Sequence, residues 1–300
     1  MKRLVVALGG NALIYRKGDF IEQMEVARNI MGHLTKLVSN GNKIVITHGN
    51  GPQVGNILLQ QECAKAKVKP MPLSVCGAMS QGQIGYIIQT ALIDALEKVG
   101  LRKNVATIIT RVIVSKKDKA FKNPTKPIGP YYRKKIKNSV YIQGKGWRKV
   151  VPSPKPIEIV EGKVIKELVE KGVIPIACGG GGIPVIRIGK KLVGVDAVID
   201  KDLASGLLAK TIGADTFLII TDVDKVYLNY GKKDQEGIDE MSCKEAKKYL
   251  FEGQFGLGSM GPKIEAAIKF LKNGGKKVII TMPDKVNEGI EGSAGTIVRA

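Results

Sequence analysis

The stretch that decides the fold is KIVITHGNGPQVG, residues 43–55. Its first part, from Lys43 to Thr47, is short, apolar and β-branched, which predicts a buried strand. Two glycines around an asparagine follow, and Pro52 then suits the first turn of a helix, where its missing N–H costs nothing. The stretch therefore predicts a strand, a tight glycine turn and a helix in direct succession.

Strand-like and helix-like segments alternate along the rest of the chain. The predicted strands are 4–10, 43–47, 105–114, 173–177, 216–221 and 277–281, and a hairpin is predicted at 187–195. The predicted helices are 20–39, a segment after Pro52, 81–99, 161–171, 201–212, 242–251 and 262–273. This alternation predicts an α/β fold with a mainly parallel central sheet covered by helices. Ligands in such sheets bind beyond the carboxyl ends of the strands, which is where the glycine-rich turns lie.

Length and composition set the class of protein. The 300 residues suffice for one large α/β domain or two small lobes. No apolar run is long enough to span a membrane, and the N-terminus leads directly into a strand-like run, so we expect a cytoplasmic protein without a membrane partner. The four cysteines form no CxxC pair and there are only two histidines, which argues against a zinc site; no protein-bound metal is predicted.

The net charge of +21 is concentrated in one segment. Residues 115–150 hold twelve Lys and Arg against a single acid, Asp118, with five aromatic residues among them. We expect hairpins and loops in this segment. Its charge suits nucleic-acid binding, or the steering of a small anionic substrate, or simply a solvated lysine-rich surface.

Three glycine-rich turns are candidate ligand contacts. They contain Gly9, Gly10 and Asn11; Gly49, Asn50 and Gly51; and, within the run CGGGG at 178–182, Gly180 and Gly181. Glycine lets the backbone approach a ligand closely, and the free N–H groups of a helix start favour an anion. An ordinary tight turn explains any one of them, but the set together predicts a ligand cradle. The spacing matches neither a P-loop nor a dinucleotide fingerprint.

Two lysines occupy the first turns of predicted helices, Lys201 and Lys263. The helix dipole disfavours a cation there by roughly 0.3–1 kcal/mol each, so two such lysines indicate an anion that shares the site. Phosphate is the natural candidate, and Asp202 could hold the two ammonium groups in place. Phosphoryl transfer between ionised oxygens needs positioning and positive charge more than acid–base groups, which fits a chain with so few histidines.

A further candidate follows a predicted strand end at Thr221, Asp222, Val223 and Asp224. This run could line a nucleotide pocket or bind a divalent ion, and an Asx turn explains the spacing equally well.

Six motifs, in order along nearly the whole chain, resemble the carbamate kinases, a branch of the amino acid kinase superfamily. They are ALGGNAL (7–13), THGNGPQVGN (47–56), NPTKPIGP (123–130), ACGGGGIPV (177–185), VDAVIDKDLAS (195–205) and GSMGPKIEAAIKF (258–270). The resemblance implies a three-layer αβα sandwich, with a carbamate-binding lobe at 1–185 that includes a protruding basic subdomain at about 115–155, and a nucleotide-binding lobe at 186–300. It also implies reversible phosphoryl transfer between ATP and carbamate, Mg²⁺ carried on the nucleotide, and a homodimer.

The resemblance also assigns roles to individual residues. Lys201 and Lys263 match phosphate-binding lysines, and Asp202 matches the carboxylate that organises them. Lys126 matches a lysine on a protruding subdomain that folds over the carbamate site. The glycine turns would surround the transferred phosphoryl group. Residues expected near the adenine or ribose are Thr221, Asp222, Val223, Tyr227 and Met260.

Two alternatives remain beside this reading. One is another small-acid kinase of the same superfamily. Acetylglutamate kinases have a lysine just before the first glycine turn, where this chain has Ala7 and Leu8, and we infer that Lys126 supplies the missing charge. The other is a nucleic-acid-binding protein that uses residues 115–150. It leaves the glycine turns and paired lysines unexplained, so no specific nucleic-acid partner is expected.

Overall fold

The computed structural model describes residues 2–9, 19–256 and 260–300, apart from the side chain of Pro130. Its strands are β1 Arg3–Leu8, β2 Lys43–His48, β3 Val105–Thr107, β4 Arg111–Val114, β5 Lys126–Tyr132, β6 Ser139–Ile142, β7 Gly146–Val151, β8 Pro156–Ile159, β9 Ile174–Ile176, β10 Ile183–Ile188, β11 Lys191–Gly194, β12 Thr216–Ile220, β13 Val226–Leu228, β14 Glu236–Ile238, β15 Glu240–Ser242, β16 Lys277–Thr281 and β17 Thr296–Arg299. Its helices are α1 Phe20–Ser39, α2 Gly51–Ala64, α3 Leu73–Lys98, α4 Gly162–Glu170, α5 Lys201–Ile212, α6 Cys243–Phe251, α7 Met260–Lys272 and α8 Val286–Glu291. None of these described helices is both long enough and apolar enough to cross a membrane.

The central sheet has eight strands in the order β15-β17-β16-β12-β1-β2-β9-β3. Every neighbouring pair from β16 to β3 is parallel, whereas β17 runs antiparallel to β16 and pairs in parallel with the edge strand β15. The predicted mainly parallel α/β sheet is therefore confirmed.

Helices cover both faces of this sheet. Along β1, Val5 and Ala7 join one buried apolar cluster while Leu4, Val6 and Leu8 join the other, as the two-residue period of a strand requires. The first cluster includes buried residues of α4, α5, α6 and α7, and the second includes those of α1, α3 and α8. The expected three-layer αβα sandwich is thus observed, with apolar burial on both faces supplying the main stabilisation.

The carboxyl ends of the central strands meet at one edge, where short backbone hydrogen bonds tie the following turns together. The Gly9 N–H donates to the Ile220 carbonyl at 3.0 Å, and the Gly49 N–H donates to the Leu8 carbonyl at 3.1 Å. The chain after β9 joins the same edge, since the Ala177 N–H donates to Ile46 at 2.9 Å. This edge therefore gathers the three glycine-rich turns.

The basic segment forms a separate three-stranded sheet, ordered β5-β7-β6, as the expectation of hairpins anticipated. An apolar cluster anchors it to the body of the protein; its buried members are Val54, Ile57, Leu73, Cys76, Ile128 and Val151. A Cβ atom at Gly55 would come within 3.3 Å of the Gly129 Cα, so α2 and β5 pack almost backbone to backbone. A four-stranded sheet, β11-β10-β4-β8, and a two-stranded sheet, β13-β14, complete the fold.

The structure corrects two element predictions. The strand predicted at 105–114 is two strands in different sheets, and the Gln81 side chain binds the backbone just before the second one, accepting from the Thr110 N–H at 2.7 Å and donating to the Thr110 carbonyl at 3.1 Å. The helix predicted to begin at 81 begins at Leu73, which is buried. Its glycines weaken the helical signal in the sequence. Gly85 is nevertheless required, because a Cβ atom there would lie 2.2 Å from Thr107.

Candidate active site

Two lysines and one carboxylate form the charged centre of the site. Lys201 Nζ lies 2.8 Å from Asp202 Oδ1, and Lys263 Nζ lies 3.2 Å from Asp202 Oδ2. All three side chains are largely buried: Lys201 is 11% exposed, Lys263 is 13% exposed and Asp202 is 6% exposed. The structure thus brings together the two predicted helix-start lysines around the predicted carboxylate.

Burial and mutual attraction decide the protonation of this cluster. Burial lowers the pKa of Lys201, and the negative charge of Asp202 opposes this only in part, while the nearby Lys263 adds to the lowering. Burial raises the pKa of Asp202, but the two lysines outweigh it and hold the pKa below its ordinary value. Asp202 is therefore ionised near neutral pH, and its negative charge lies between the two lysine side chains.

The ammonium group of Lys201 has an unsatisfied hydrogen-bonding capacity. Its 2.8 Å contact with Asp202 is an ion pair without hydrogen-bond geometry, and within the described part of the chain neither Lys201 Nζ nor Asp202 Oδ1 has a hydrogen-bond partner. A buried ammonium group whose three donors are not all used is less well solvated than the same group in water. An anionic ligand that accepts from Lys201 would compensate for the lost solvation.

Asp200 builds the start of α5, and the sequence reasoning missed it. Its Oδ1 accepts from the N–H groups of Asp202 at 2.9 Å and Leu203 at 3.3 Å, which is the N-cap arrangement. Its Oδ2 accepts from Lys126 Nζ at 3.1 Å, so the lysine of the basic segment reaches the same helix start. An Asp one residue before a predicted helix is the signal that would have identified this cap.

Hydroxyl groups connect α5 to the end of β2. Thr47 Oγ1 lies 2.6 Å from Ser205 Oγ, and the Ser205 hydroxyl also contacts the Lys201 carbonyl at 2.7 Å. Both side chains are fully buried. The helix that positions Lys201 is therefore fixed to the turn that carries Gly49 and Asn50.

The run CGGGG forms a tight turn that packs against the other site elements. A Cβ atom at Gly180 would lie 2.1 Å from Asn50 Nδ2, and one at Gly181 would lie 2.3 Å from the Ile199 carbonyl. Both glycines have positive φ, 64° and 91°. Packing and backbone conformation alone thus require glycine at Gly180 and Gly181, and their predicted contact with phosphate stays a prediction.

The residues of the first two glycine turns differ in whether their polar groups are already bonded within the protein. The N–H groups of Gly9 and Gly49 are used by the sheet edge, so they are not free donors for a ligand. Asn50 Nδ2 donates to Ser80 Oγ at 2.8 Å, and Gly51 is the first residue of α2. Gly10 and Asn11 lie outside the described residues.

His48 lies beside these turns as a neutral side chain. Burial lowers its pKa to about 4, and the charge of Lys201 adds to the lowering against the hydrogen bond with the Gly49 carbonyl. In the neutral form Nδ1 is assigned as the donor to that carbonyl at 2.9 Å. The ring leaves no room at Gly179, where a Cβ atom would lie 2.4 Å from Nε2. His48 therefore shapes the site without adding charge.

The predicted nucleotide residues follow β12 and begin α7. Thr221 is buried, its N–H donates to the Thr281 carbonyl at 2.9 Å, and its hydroxyl donates to Asp222 at 3.0 Å. Tyr227 donates to Asp224 at 2.7 Å. Met260 is the first residue of the helix that carries Lys263, and Val223 is half-buried. The turn after β12 adjoins the Gly9 turn, because the Gly9 N–H donates to the Ile220 carbonyl at the end of that strand.

Comparison with known proteins agrees with this arrangement. The model of the amino acid kinase family matches residues 2–282. The chain is 48% identical over 310 residues to the carbamate kinase of Pyrococcus horikoshii and 50% identical over 307 residues to that of Thermoplasma acidophilum, with 99% of each chain covered. The structure of the carbamate kinase from Giardia lamblia bound to AMP-PNP superimposes with a TM-score of 0.94 at 43% identity, covering 99% of this chain and 98% of that one. The chain belongs to the amino acid kinase family, and these relatives, which match it over its full length, are carbamate kinases.

Proposed function

We propose that the protein is a carbamate kinase, which transfers a phosphoryl group reversibly between ATP and carbamate to give ADP and carbamoyl phosphate. The observation that carries the proposal is the buried centre in which Lys201 and Lys263, from two helix starts, share Asp202. Full-length identity of about one half to carbamate kinases supports the choice of substrate over other small acids of the family.

The lysine pair suits the transfer step. A phosphoryl group in transit spreads negative charge over its three peripheral oxygens, and preorganised cations stabilise that charge. Lys201, which lacks a hydrogen-bond acceptor within the described chain, would donate to one of these oxygens, and Lys263 to another. Asp202 holds the two ammonium groups within reach of each other. Carbamate attacks through an oxygen that is already ionised, so no general base is required.

The carbamate side of the site is assigned to the N-terminal lobe, residues 1–185. Lys126 reaches the start of α5 from the basic segment and would meet the substrate anion there. The turns with Gly9, Gly10, Asn11, Gly49, Asn50, Gly51, Gly180 and Gly181 would surround the transferred group. The positive charge of the segment would draw both anionic substrates toward the cleft.

The nucleotide is assigned to the C-terminal lobe, residues 186–300. Thr221, Asp222, Val223, Tyr227 and Met260 would line the adenine and ribose pocket, and the position of Met260 on the Lys263 helix supports this. The Giardia relative was solved with AMP-PNP, an ATP analogue, which supports a nucleotide at the corresponding site.

Mg²⁺ would enter on the phosphates of the nucleotide. Among residues 2–9, 19–256 and 260–300, no three His, Cys, Asp or Glu side chains are grouped to hold a metal ion. The two carboxylates at the start of α5 are paired with lysines, which fits an ion held by phosphate oxygens and water. When bound, the ion neutralises phosphate charge during transfer.

A homodimer and a cytoplasmic location belong to the same proposal. Exposed apolar side chains on α1 and α3 support dimerisation, and the rings of Phe20 and Tyr86 stack between the two helices; these side chains are Phe20, Ile21, Val75, Met79 and Tyr86. All four cysteines are free thiols, which fits a reducing compartment. Sedimentation equilibrium of the purified protein tests the dimer.

The activity is tested by mixing the protein with ADP, Mg²⁺ and carbamoyl phosphate and measuring the ATP formed. We expect rapid ATP formation, and none when acetyl phosphate or acetylglutamyl phosphate replaces carbamoyl phosphate at matched concentration. Absence of turnover with carbamoyl phosphate, together with activity on one of the other acyl phosphates, would assign the protein to a different small-acid kinase.

A further inference from the structure

Asp200 makes contacts that its role as a helix cap does not require. Capping uses only Oδ1, which accepts from the N–H groups of Asp202 and Leu203. The second oxygen, Oδ2, accepts from Lys126 Nζ at 3.1 Å, across 74 residues of sequence. Asp200 is thus the link between the basic segment and the helix that carries the phosphate-binding lysines.

The backbone on both sides of this contact is held in place. Lys126 pairs with Val151 in the β5–β7 ladder, and Val151 is buried in the cluster that anchors the basic segment. The Val198 N–H donates to the Pro152 carbonyl at 3.0 Å, which ties the approach to α5 to the end of β7. The β5–β7 ladder and the bond between Val198 and Pro152 therefore hold the backbone on both sides of the Lys126–Asp200 ion pair.

Charge explains why a carboxylate is needed there. Lys126 reaches the start of α5, which already has Lys201, and Lys263 of α7 is paired with the neighbouring Asp202. Like charges repel, and the helix dipole disfavours a further cation there. Asp200 compensates the charge of Lys126 as Asp202 compensates the pair beside it. An ammonium group has three donors, so the bond to Asp200 leaves two for a substrate oxygen.

We propose that Asp200 is a positioning residue that holds the Lys126 ammonium at the start of α5, oriented toward the carbamoyl side of the substrate. This inference rests on the proposed function. It assigns the orientation of the Lys126 ammonium group to one carboxylate, and it predicts that removing that charge harms use of carbamoyl phosphate and leaves use of ADP intact.

The test compares Asp200→Asn, Lys126→Met and the double variant in the ADP plus carbamoyl phosphate assay. Asn caps a helix as well as Asp does, so the Asn variant removes the charge and keeps the cap. We expect it to raise KM for carbamoyl phosphate about tenfold, given a charge-assisted bond at a partly exposed site, and to leave KM for ADP within about twofold. In the Lys126→Met background the same change should add less than about twofold, because the partner is already absent.

Two further readouts separate positioning from stability. The melting temperature of Asp200→Asn should equal that of the wild type, and trypsin should cleave the lysine-rich segment 115–150 faster in the variant. Asp94→Asn, which removes a carboxylate from an exposed pair with Arg28, is the matched control and should change neither readout.

Each outcome has one meaning. An unchanged KM for carbamoyl phosphate in Asp200→Asn, an effect that persists undiminished in the Lys126→Met background, or an equal rise in both KM values overturns the inference while the proposed function stands. A wild-type protein that does not turn over carbamoyl phosphate overturns the proposed function instead. In that case the rates of trypsin cleavage in the wild type and Asp200→Asn decide whether Asp200 holds segment 115–150.

Discussion

Replacing Lys201 with Met tests whether this lysine serves catalysis or the stability of the fold. The variant keeps most of the apolar stem and removes the ammonium group. Its loss removes a buried charge from a helix start, and both the burial of that charge and its position against the helix dipole are unfavourable in the wild type. Against this, Asp202 loses one of its two partners but keeps Lys263 at 3.2 Å, so no uncompensated charge is left buried. These effects nearly cancel, and we expect the free energy of unfolding to change by less than about 1 kcal/mol.

The activity of the same variant should change far more. Removing one preorganised donor to a developing anion typically lowers kcat by about 10²–10³-fold, or roughly 2.7–4 kcal/mol of transition-state stabilisation. Urea denaturation gives the stability, and ATP formation from ADP and carbamoyl phosphate gives kcat. Lys210→Met, on the exposed last turn of the same helix, is the matched control and should alter neither quantity. A stability loss above about 3 kcal/mol, the range for breaking a needed buried pair, with kcat reduced less than about tenfold, would refute the reasoning.

Three other outcomes are expected. Asp202→Asn should lower the free energy of unfolding by about 3–5 kcal/mol in urea titrations, because it leaves Lys201 and Lys263 buried without a counter-charge; an unchanged value would contradict the ion-pair account. Burial lowers the pKa of His48 from 6.5 to about 4, so between these pH values the unfolded chain binds a proton at His48 that the folded protein does not; this should contribute about 3 kcal/mol to the loss of stability from pH 6.5 to pH 4, and His48→Gln should lose less stability than the wild type by that amount. In a gel shift at physiological salt, no sequence-specific complex with DNA or RNA should form. Lys145 and Arg148 lie over the Tyr131 ring and Lys135 lies over the Trp147 ring, so these rings are not free to stack on bases. Saturable binding that persists at higher salt would support the nucleic-acid alternative.

Local rules sufficed for much of the fold. The bounds of α1 and α5 follow from a cap at one end and a left-handed glycine or an Asn-Gly pair at the other, and both helices match the predicted residues. The charged centre was also predictable, since two lysines at helix starts violate the dipole preference and so indicate an anion.

What the sequence could not reveal depends on contacts between distant segments. The 105–114 strand is interrupted before Arg111, where Thr110 is bonded to the side chain of Gln81, a residue that no local pattern connects to it. The sequence predicts Gly180 and Gly181 of the CGGGG turn as ligand contacts. The structure shows that Asn50 and Ile199 occupy the space that a side chain at these two positions would need. The second use of the Asp200 carboxylate depends on Lys126 returning from a separate sheet.

The central claim is that Lys201 and Lys263 together bind the phosphoryl group as it passes between ADP and carbamate. The most direct measurement is a crystal structure with ADP, Mg²⁺ and aluminium fluoride, which mimics the planar group in transit. The account predicts both Nζ atoms within about 3 Å of fluorides on the same aluminium, with Asp202 still between them. A mimic bound elsewhere along the cleft, or touched by only one of the two lysines, would contradict it.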